Sequence, residues 1–325
     1  MDRRHLGNDS PRPGMNRYVS LDFFLTQEGT HDMTARGFNI NGNASAQDVI
    51  DAAANGSRLL RYQILPQGNA VPIEHWDAHI GSAIAHLDQV VVPNLGPQKL
   101  LLDLHSAPGG MKGRKLRIFS GVNAWALFQQ TWMRLASHFK DYPPVLGYGI
   151  VNEPAGNGKE VRALMIQTYQ TIRAIDPVKV IAVTCPHSKP SEFGEMIHLS
   201  GDPNVWFEVH FYEPTKLTHQ GLLGYSTGRK YPSSSFNKNS LIKAMRPILK
   251  YQQKTGAQIF VGEFGISSLA DVQSRANWMR DCMELFSGWG WHFSIHCWRE
   301  GPGSAWSYEG YPQTMAPIHA SLGAQ

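Results

Sequence analysis

Lys99-Leu-Leu-Leu-Asp-Leu-His105 is an almost unbroken apolar run that ends in an ionisable residue. Gln258-Ile-Phe-Val-Gly262 has the same character and runs on into Glu263. Continuous apolar runs of this length suit strands covered on both faces, as in parallel sheets, rather than the alternating pattern of a half-exposed antiparallel strand. Working outward, the chain repeats the pattern. Further β-rich runs are expected at Thr34–Ile40, Ser57–Ile64, Val145–Asn152, Val178–Cys185, Asn204–Phe211 and Trp291–Trp298, with the first two extending to Gln98–His105 and Ala257–Phe264.

Amphipathic patterns of helical period separate the runs. They cover Ala46–Ala54, Glu74–Val91, Asn123–Phe139, Glu160–Ile175, Ser240–Lys254 and Asp271–Phe286, with Ser191–Leu199 as a weaker seventh. Eight strands alternating with helices over about 265 residues predict a single (β/α)8 TIM barrel. An open doubly wound sheet is the alternative, but no GxGxxG follows any strand. Residues 1–33 read as an N-terminal arm, with Tyr18–Leu25 a candidate strand closing the barrel floor, and residues 34–325 as the barrel domain.

Composition narrows the function. Of 325 residues, 42% are hydrophobic and 17% charged, with 31 Gly and 20 Pro, which argues against coiled-coil or disordered chains. The net charge is +4, and the densest basic stretch, Lys112 to Arg117, holds four basic residues in six. That is too small a patch to expect a nucleic-acid partner. No apolar run is long enough to predict a membrane span. The polar N-terminus lacks an apolar signal region. Cys185, Cys282 and Cys297 show no CxxC spacing and leave room for one bridge at most.

Active sites of such barrels form at the C-terminal ends of the strands. There the sequence places Arg61, Asp103-Leu-His105, Asn152-Glu153-Pro154, His210-Phe-Tyr212, Gly262-Glu-Phe-Gly265 and Cys297-Trp-Arg-Glu300. Glu153 and Glu263 lie on the fourth and seventh strands, which face each other across the mouth. Glycoside hydrolysis needs two carboxyl groups flanking the sugar linkage, one as proton donor and one as nucleophile or base. A lone strand-end Glu is more often a helix cap or surface ion pair; the pair in this setting points to catalysis.

The chain resembles family 5 of the glycoside hydrolases, the cellulase family of clan A, from about Arg36 to Glu309. The resemblance is carried by Arg36-Gly-Phe-Asn39, Leu60-Arg61, Asp103-Leu-His105, Gly147-Tyr-Gly-Ile-Val-Asn-Glu-Pro154, His210-Phe-Tyr-Glu-Pro214, Thr218-His-Gln-Gly221, Gly262-Glu-Phe-Gly265 and Trp298. It implies a retaining enzyme with Glu153 as general acid/base and Glu263 as nucleophile. Arg61 and Tyr212 would hold the Glu263 carboxylate, and Asn152 would bind the sugar 2-OH. His105 and His210 would orient groups around the reacting sugar, and Trp298 would offer a flat face to a pyranose ring. Arg58 is a rival for the Arg61 role.

The resemblance further implies a β-linked oligo- or polysaccharide substrate, most simply an endo-β-1,4-glucan, and no cofactor or metal. β-Mannan, β-1,3-glucan, xyloglucan or a glycolipid would use the same chemistry, and a noncatalytic carbohydrate-binding barrel is the alternative from another class. A polymeric substrate outside cells implies a secreted, extracellular or periplasmic monomer. Glu300, Trp306 and His219 are expected substrate contacts in the loops, with Gln220 beside His219. His292 and His296 stand at i, i+4, but on a strand that spacing is about 13 Å, too far for one metal ion.

Overall fold

The computed structural model describes residues 34–64, 71–199, 201–300 and 304–323. Segment 1–33, including the strand expected at Tyr18–Leu25, lies outside the described residues. Eight strands close into one parallel barrel: β1 (Arg36–Asn41), β2 (Leu59–Ile64), β3 (Lys99–Leu104), β4 (Val145–Gly149), β5 (Val180–Thr184), β6 (Val205–Phe211), β7 (Gln258–Phe264) and β8 (His292–Trp298). Each pairs with its neighbours in sequence, and β8 pairs with β1. Every expected run forms a strand.

The apolar runs stay buried because helices cover their outer faces. These are α1 (Ala46–Ala54), α2 (Trp76–His86), α3 (Val122–Phe139), α4 (Gly158–Arg173), α5 (Lys238–Thr255), α6 (Val272–Gly288) and α7 (Pro312–Leu322). Local signals start several of them. Ser45 and Asp48 form a capping box on α1, and Asn157 and Glu160 form one on α4. Gly256 ends α5 in the left-handed region. Two expectations are corrected. Between β5 and β6 the chain makes 3-10 turns at Pro190–Glu195 instead of a helix over Ser191–Leu199, where Pro190 and Gly194 weaken helical continuation. Helix α7, begun by Pro312, was not expected.

Inside the barrel the inward residues stack in layers. The floor is apolar: Leu59, Leu101, Val180, Ala182, Trp206 and Phe260 form a separate cluster. Trp206 stacks on His292 with centroids 4.0 Å apart. Above this plug the inward positions become polar. Asn39, Arg61, Asp103 and Glu208 are all buried there. The mouth carries His105, Glu153, His210, Glu263 and His296.

Two register shifts decide what faces the mouth. Val209 pairs with Val261, but His210 pairs with Glu263, so β7 holds one extra residue at Gly262. Likewise Phe38 pairs with Ile295, but Ile40 pairs with Trp298, so β8 also bulges. A bulge inverts the alternation of every residue beyond it.

Candidate active site

Arg61 is the hub of the polar layer. Its Nη1 donates to Glu263 Oε1 at 2.8 Å and to Asn39 Oδ1 at 2.8 Å. Its Nη2 donates to Asn152 Oδ1 at 2.9 Å and lies 3.0 Å from Asp103 Oδ1. Its Nε lies 3.1 Å from Glu208 Oε1. Burial works against this guanidinium's charge, but Asp103, Glu208 and Glu263 outweigh it and raise its pKa further. Arg58, the rival, is exposed and donates to Ser57 O.

Glu263 is enclosed by donors. Tyr212 Oη donates to its Oε2 at 2.9 Å. His210 Nδ1 lies 3.6 Å and His296 Nδ1 3.8 Å from the same oxygen. Burial opposes ionisation of Glu263, but the positive charges of His210, His296 and Arg61 outweigh it, and its carboxyl is held well below the ordinary range. Burial lowers the pKa of His296 itself, against the opposing charges of Glu263 and Glu300. Burial and the Glu263 charge push the Tyr212 phenol well up, which keeps it a donor.

Glu153 follows β4 with φ of +40°, a conformation that costs about 1–3 kcal/mol in a non-glycine residue. Its side chain is 33% exposed, against 6% for Glu263. His210 Nδ1 donates to Glu153 Oε1 at 3.0 Å, and its Nε2 donates to Glu208 Oε1 at 3.3 Å. Burial disfavours the imidazolium, but Glu263, Glu153 and Glu208 around it raise its pKa to about 10. Donor atoms of Glu153, His210 and Glu263 all lie within 4.8 Å of one another. His105 Nδ1 donates to Asp103 Oδ2 at 2.6 Å, and Asn152 Nδ2 donates to His105 Nε2 at 3.3 Å.

The structure thus brings Arg61, His105, Asn152, Glu153, His210, Tyr212 and Glu263 together. Trp298, expected to face a pyranose ring, is not among them. It is 2% exposed, packs on Phe38 with centroids 5.0 Å apart, and donates from Nε1 to Asp48 O at 3.0 Å. The bulge in β8 turns it outward into the helix layer, and His296 takes the inward place.

Trp306 and His219 do reach the mouth. Trp306 lies 5.4 Å from Tyr212, 5.0 Å from His219 and 5.8 Å from His296, centroid to centroid. Glu300 Oε1 lies 3.6 Å from His296 Nε2, and its other oxygen accepts from Ser304 Oγ. Gln220, by contrast, is wholly buried and pins its loop through Leu217 O and the backbone of Arg229.

Sequence reasoning missed Asn39, Glu208 and His296 as members of this cluster. Glu208 carried a usable signal, since it is the acidic residue within the apolar run Val205-Trp-Phe-Glu-Val-His-Phe211, two before His210 and so on the same strand face. His296 was weighed only as a metal partner of His292, which sits at the barrel floor instead.

Among the described residues, two donor sets are close enough to hold a metal ion: Glu153, His210 and Glu263, and His296, Cys297 and Glu300. In the first, His210 already faces Glu153 and Glu208 through its two ring nitrogens. In the second, burial pushes the Cys297 thiol well up. Cys185, Cys282 and Cys297 are all free and buried.

Among known proteins, the family model described as Cellulase (glycosyl hydrolase family 5) matches residues 27–298. Endoglucanase C of Acetivibrio thermocellus is 24% identical over 267 residues, 70% of this chain and 74% of that protein. Cellodextrinase A of Ruminococcus flavefaciens is 21% identical over 202 residues, 58% of this chain and 59% of its own. The solved structure of a hyperthermophilic endo-β-1,4-glucanase in complex with substrate shares the fold with a TM-score of 0.69 at 19% identity, covering 88% of this chain and 96% of that one. Thermotoga maritima Cel5A in complex with mannotriose gives 0.69 at 19% identity, covering 90% and 98%.

Proposed function

The chain belongs to the cellulase family, family 5 of the glycosyl hydrolases, and on that premise we propose a retaining β-glycosidase acting by double displacement on an internal β-1,4-glucan. In this reading Glu263 attacks the anomeric carbon while Glu153 gives its proton to the departing glycosidic oxygen. A glycosyl ester on Glu263 results. Water then attacks the anomeric carbon, Glu153 takes its proton, and the ester bond breaks to free Glu263.

The observation that carries the retaining assignment is the closeness of the two carboxyls, one oxygen of each lying within 4.8 Å of the other. Direct attack needs carboxyls about 5–5.5 Å apart, whereas an inverting enzyme leaves about 6.5–9.5 Å for a water. The division of labour follows the environments. Glu263 is buried and held ionised, as a nucleophile must be. Glu153 is the more exposed carboxyl and meets the leaving group and the incoming water. Asn152, its carbonyl occupied by Arg61, keeps an amide hydrogen for the sugar 2-OH. Trp306, His219 and Glu300 would line the sugar path at the rim.

The endo-β-1,4-glucan substrate is supported by the names of the relatives above. Mannan belongs in any test, because one neighbour of this fold was solved with mannotriose. A polymeric substrate places the enzyme outside the cytoplasm, with residues 34–325 as a monomeric catalytic unit. No helix among the described residues is long and apolar enough to cross a membrane.

Reducing-sugar release from carboxymethylcellulose, mixed-linkage glucan, mannan, laminarin and xylan tests the reading, with Glu263→Ala run beside the native chain and folding checked by circular dichroism. Activity on β-1,4-glucans that vanishes in the folded variant supports it. Inactivity on every substrate, or an active variant, overturns it.

A further inference from the structure

We propose that Glu208 is a positioning residue of the hydrolytic centre, its carboxylate tying the arginine that holds Glu263 to the histidine that holds Glu153. The inference rests on the reading of Glu153 and Glu263 as the catalytic pair.

One carboxylate oxygen, Glu208 Oε1, lies 3.1 Å from Arg61 Nε and 3.3 Å from His210 Nε2. Arg61 in turn holds Glu263 at 2.8 Å, and His210 holds Glu153 at 3.0 Å. The five groups form a chain of alternating charge, Glu263, Arg61, Glu208, His210 and Glu153, which His210 closes 3.6 Å from Glu263. Each catalytic carboxyl is oriented by a cation that Glu208 also holds.

The strand carrying Glu263 is shaped around this carboxylate. A Cβ on Gly262, the bulge residue of β7, would sit 1.9 Å from Glu208 Oε1. The extra residue that turns Glu263 inward is therefore one that leaves the Glu208 carboxylate its space. A buried carboxylate is strongly disfavoured by desolvation unless cations answer it. Here Arg61 and His210 both do, and they hold its pKa low against that burial.

The charged and titratable groups facing Glu208 are Arg61 from β2, Cys185 after β5, His210 on its own strand and Glu263 from β7. Removing the Glu208 charge leaves this surround more positive. Every carboxyl in it then ionises at lower pH. Glu263 protonation limits activity on the acid side and loss of the Glu153 proton limits it on the basic side. Both limbs should therefore move to lower pH together.

The test compares pH profiles of kcat/KM on soluble β-glucan for the native enzyme, Glu208→Gln, Glu208→Asp and Glu263→Ala, with melting curves for each. Glu208→Gln keeps the shape and removes the charge. It should lower kcat/KM about 10- to 100-fold, as losing the hydrogen-bond partner behind a metal ligand does, and move both limbs down by about one unit or more. Glu208→Asp keeps the charge but withdraws it, so kcat/KM should fall with the limbs much closer to native. A folded Glu208→Gln enzyme with unmoved limbs overturns the proposal and leaves the catalytic pair standing. If Glu208→Gln does not fold, native kcat/KM in Glu208→Asp overturns it instead. An inactive native enzyme, or an active Glu263→Ala, overturns the catalytic reading and the inference with it.

Discussion

His296 and Trp298 stand two residues apart on one strand and point to opposite sides of it. His296 Nδ1 lies 3.8 Å from Glu263 Oε2 inside the barrel, whereas Trp298 packs on Phe38 and donates to Asp48 O outside. Residues two apart on a regular strand share a face. The extra residue between Ile295 and Trp298 breaks that rule.

The two tryptophans at this end of the barrel should therefore respond differently to truncation. Trp298→Ala empties a buried site and should cost about 3–5 kcal/mol of stability. Trp306→Ala, at the rim, should leave the denaturation midpoint near native and raise KM for the polymer. Urea denaturation and steady-state kinetics on both variants check this. Weakened binding with native stability in Trp298→Ala would put its ring back in the sugar path.

The two carboxyls should fail in distinct ways. Glu263→Ala should lose about three orders of magnitude or more on every substrate, because the covalent route is gone. Glu153→Ala should stay active on aryl glycosides whose leaving group needs no proton. Added azide should speed its turnover and yield a β-glycosyl azide, since azide attacks the glycosyl ester without a general base. Product analysis by NMR reads the outcome, and an α-glycosyl azide would reverse the assignment.

Arg61→Met strands Asp103, Glu208 and Glu263 without their shared cation. Removing one member of a buried charge network costs about 3–5 kcal/mol. The pKa of Glu263 should rise, so the acid limb of kcat/KM should move to higher pH. A pH profile on the folded fraction measures the shift, and an unmoved acid limb would show that Arg61 does not keep Glu263 ionised.

His210 should make stability fall as pH rises. Its folded pKa, about 10, lies above its ordinary value of 6.5. The folded state thus binds more protons than the unfolded state between those values, and stability drops with pH across that window. The contribution is fully present below about pH 6.5 and lost as pH passes 10. Melting temperatures from pH 6 to 10 should fall more steeply for the native chain than for His210→Asn. Parallel curves would sink the idea.

The barrel was legible because each strand announces itself locally. Runs such as Lys99–Leu104 and Gln258–Phe264 are apolar enough to require cover on both faces, and the helices between them carry their own caps at Ser45 and Asn157. The helix expected at Ser191–Leu199 failed, and α7 went unseen, where proline and glycine leave the periodic signal weak. Arg61, Glu153, His210, Tyr212 and Glu263 were legible as polar residues closing apolar strands.

The sequence by itself determined the strand order and most of the helices between, hence the barrel and the end at which its polar residues gather, since hydrophobic period and capping act over a few neighbouring residues. The tertiary structure alone decided which of those residues meet. The bulges at Gly262 and before Trp298 arise from pairing with strands far away in sequence, and each inverts a local alternation. Glu263 was thereby turned inward and Trp298 outward. The joint hold of Glu208 on Arg61 and His210 likewise exists only once β2, β6 and β7 bring distant charges into one dry layer, where an unanswered charge is too costly to keep.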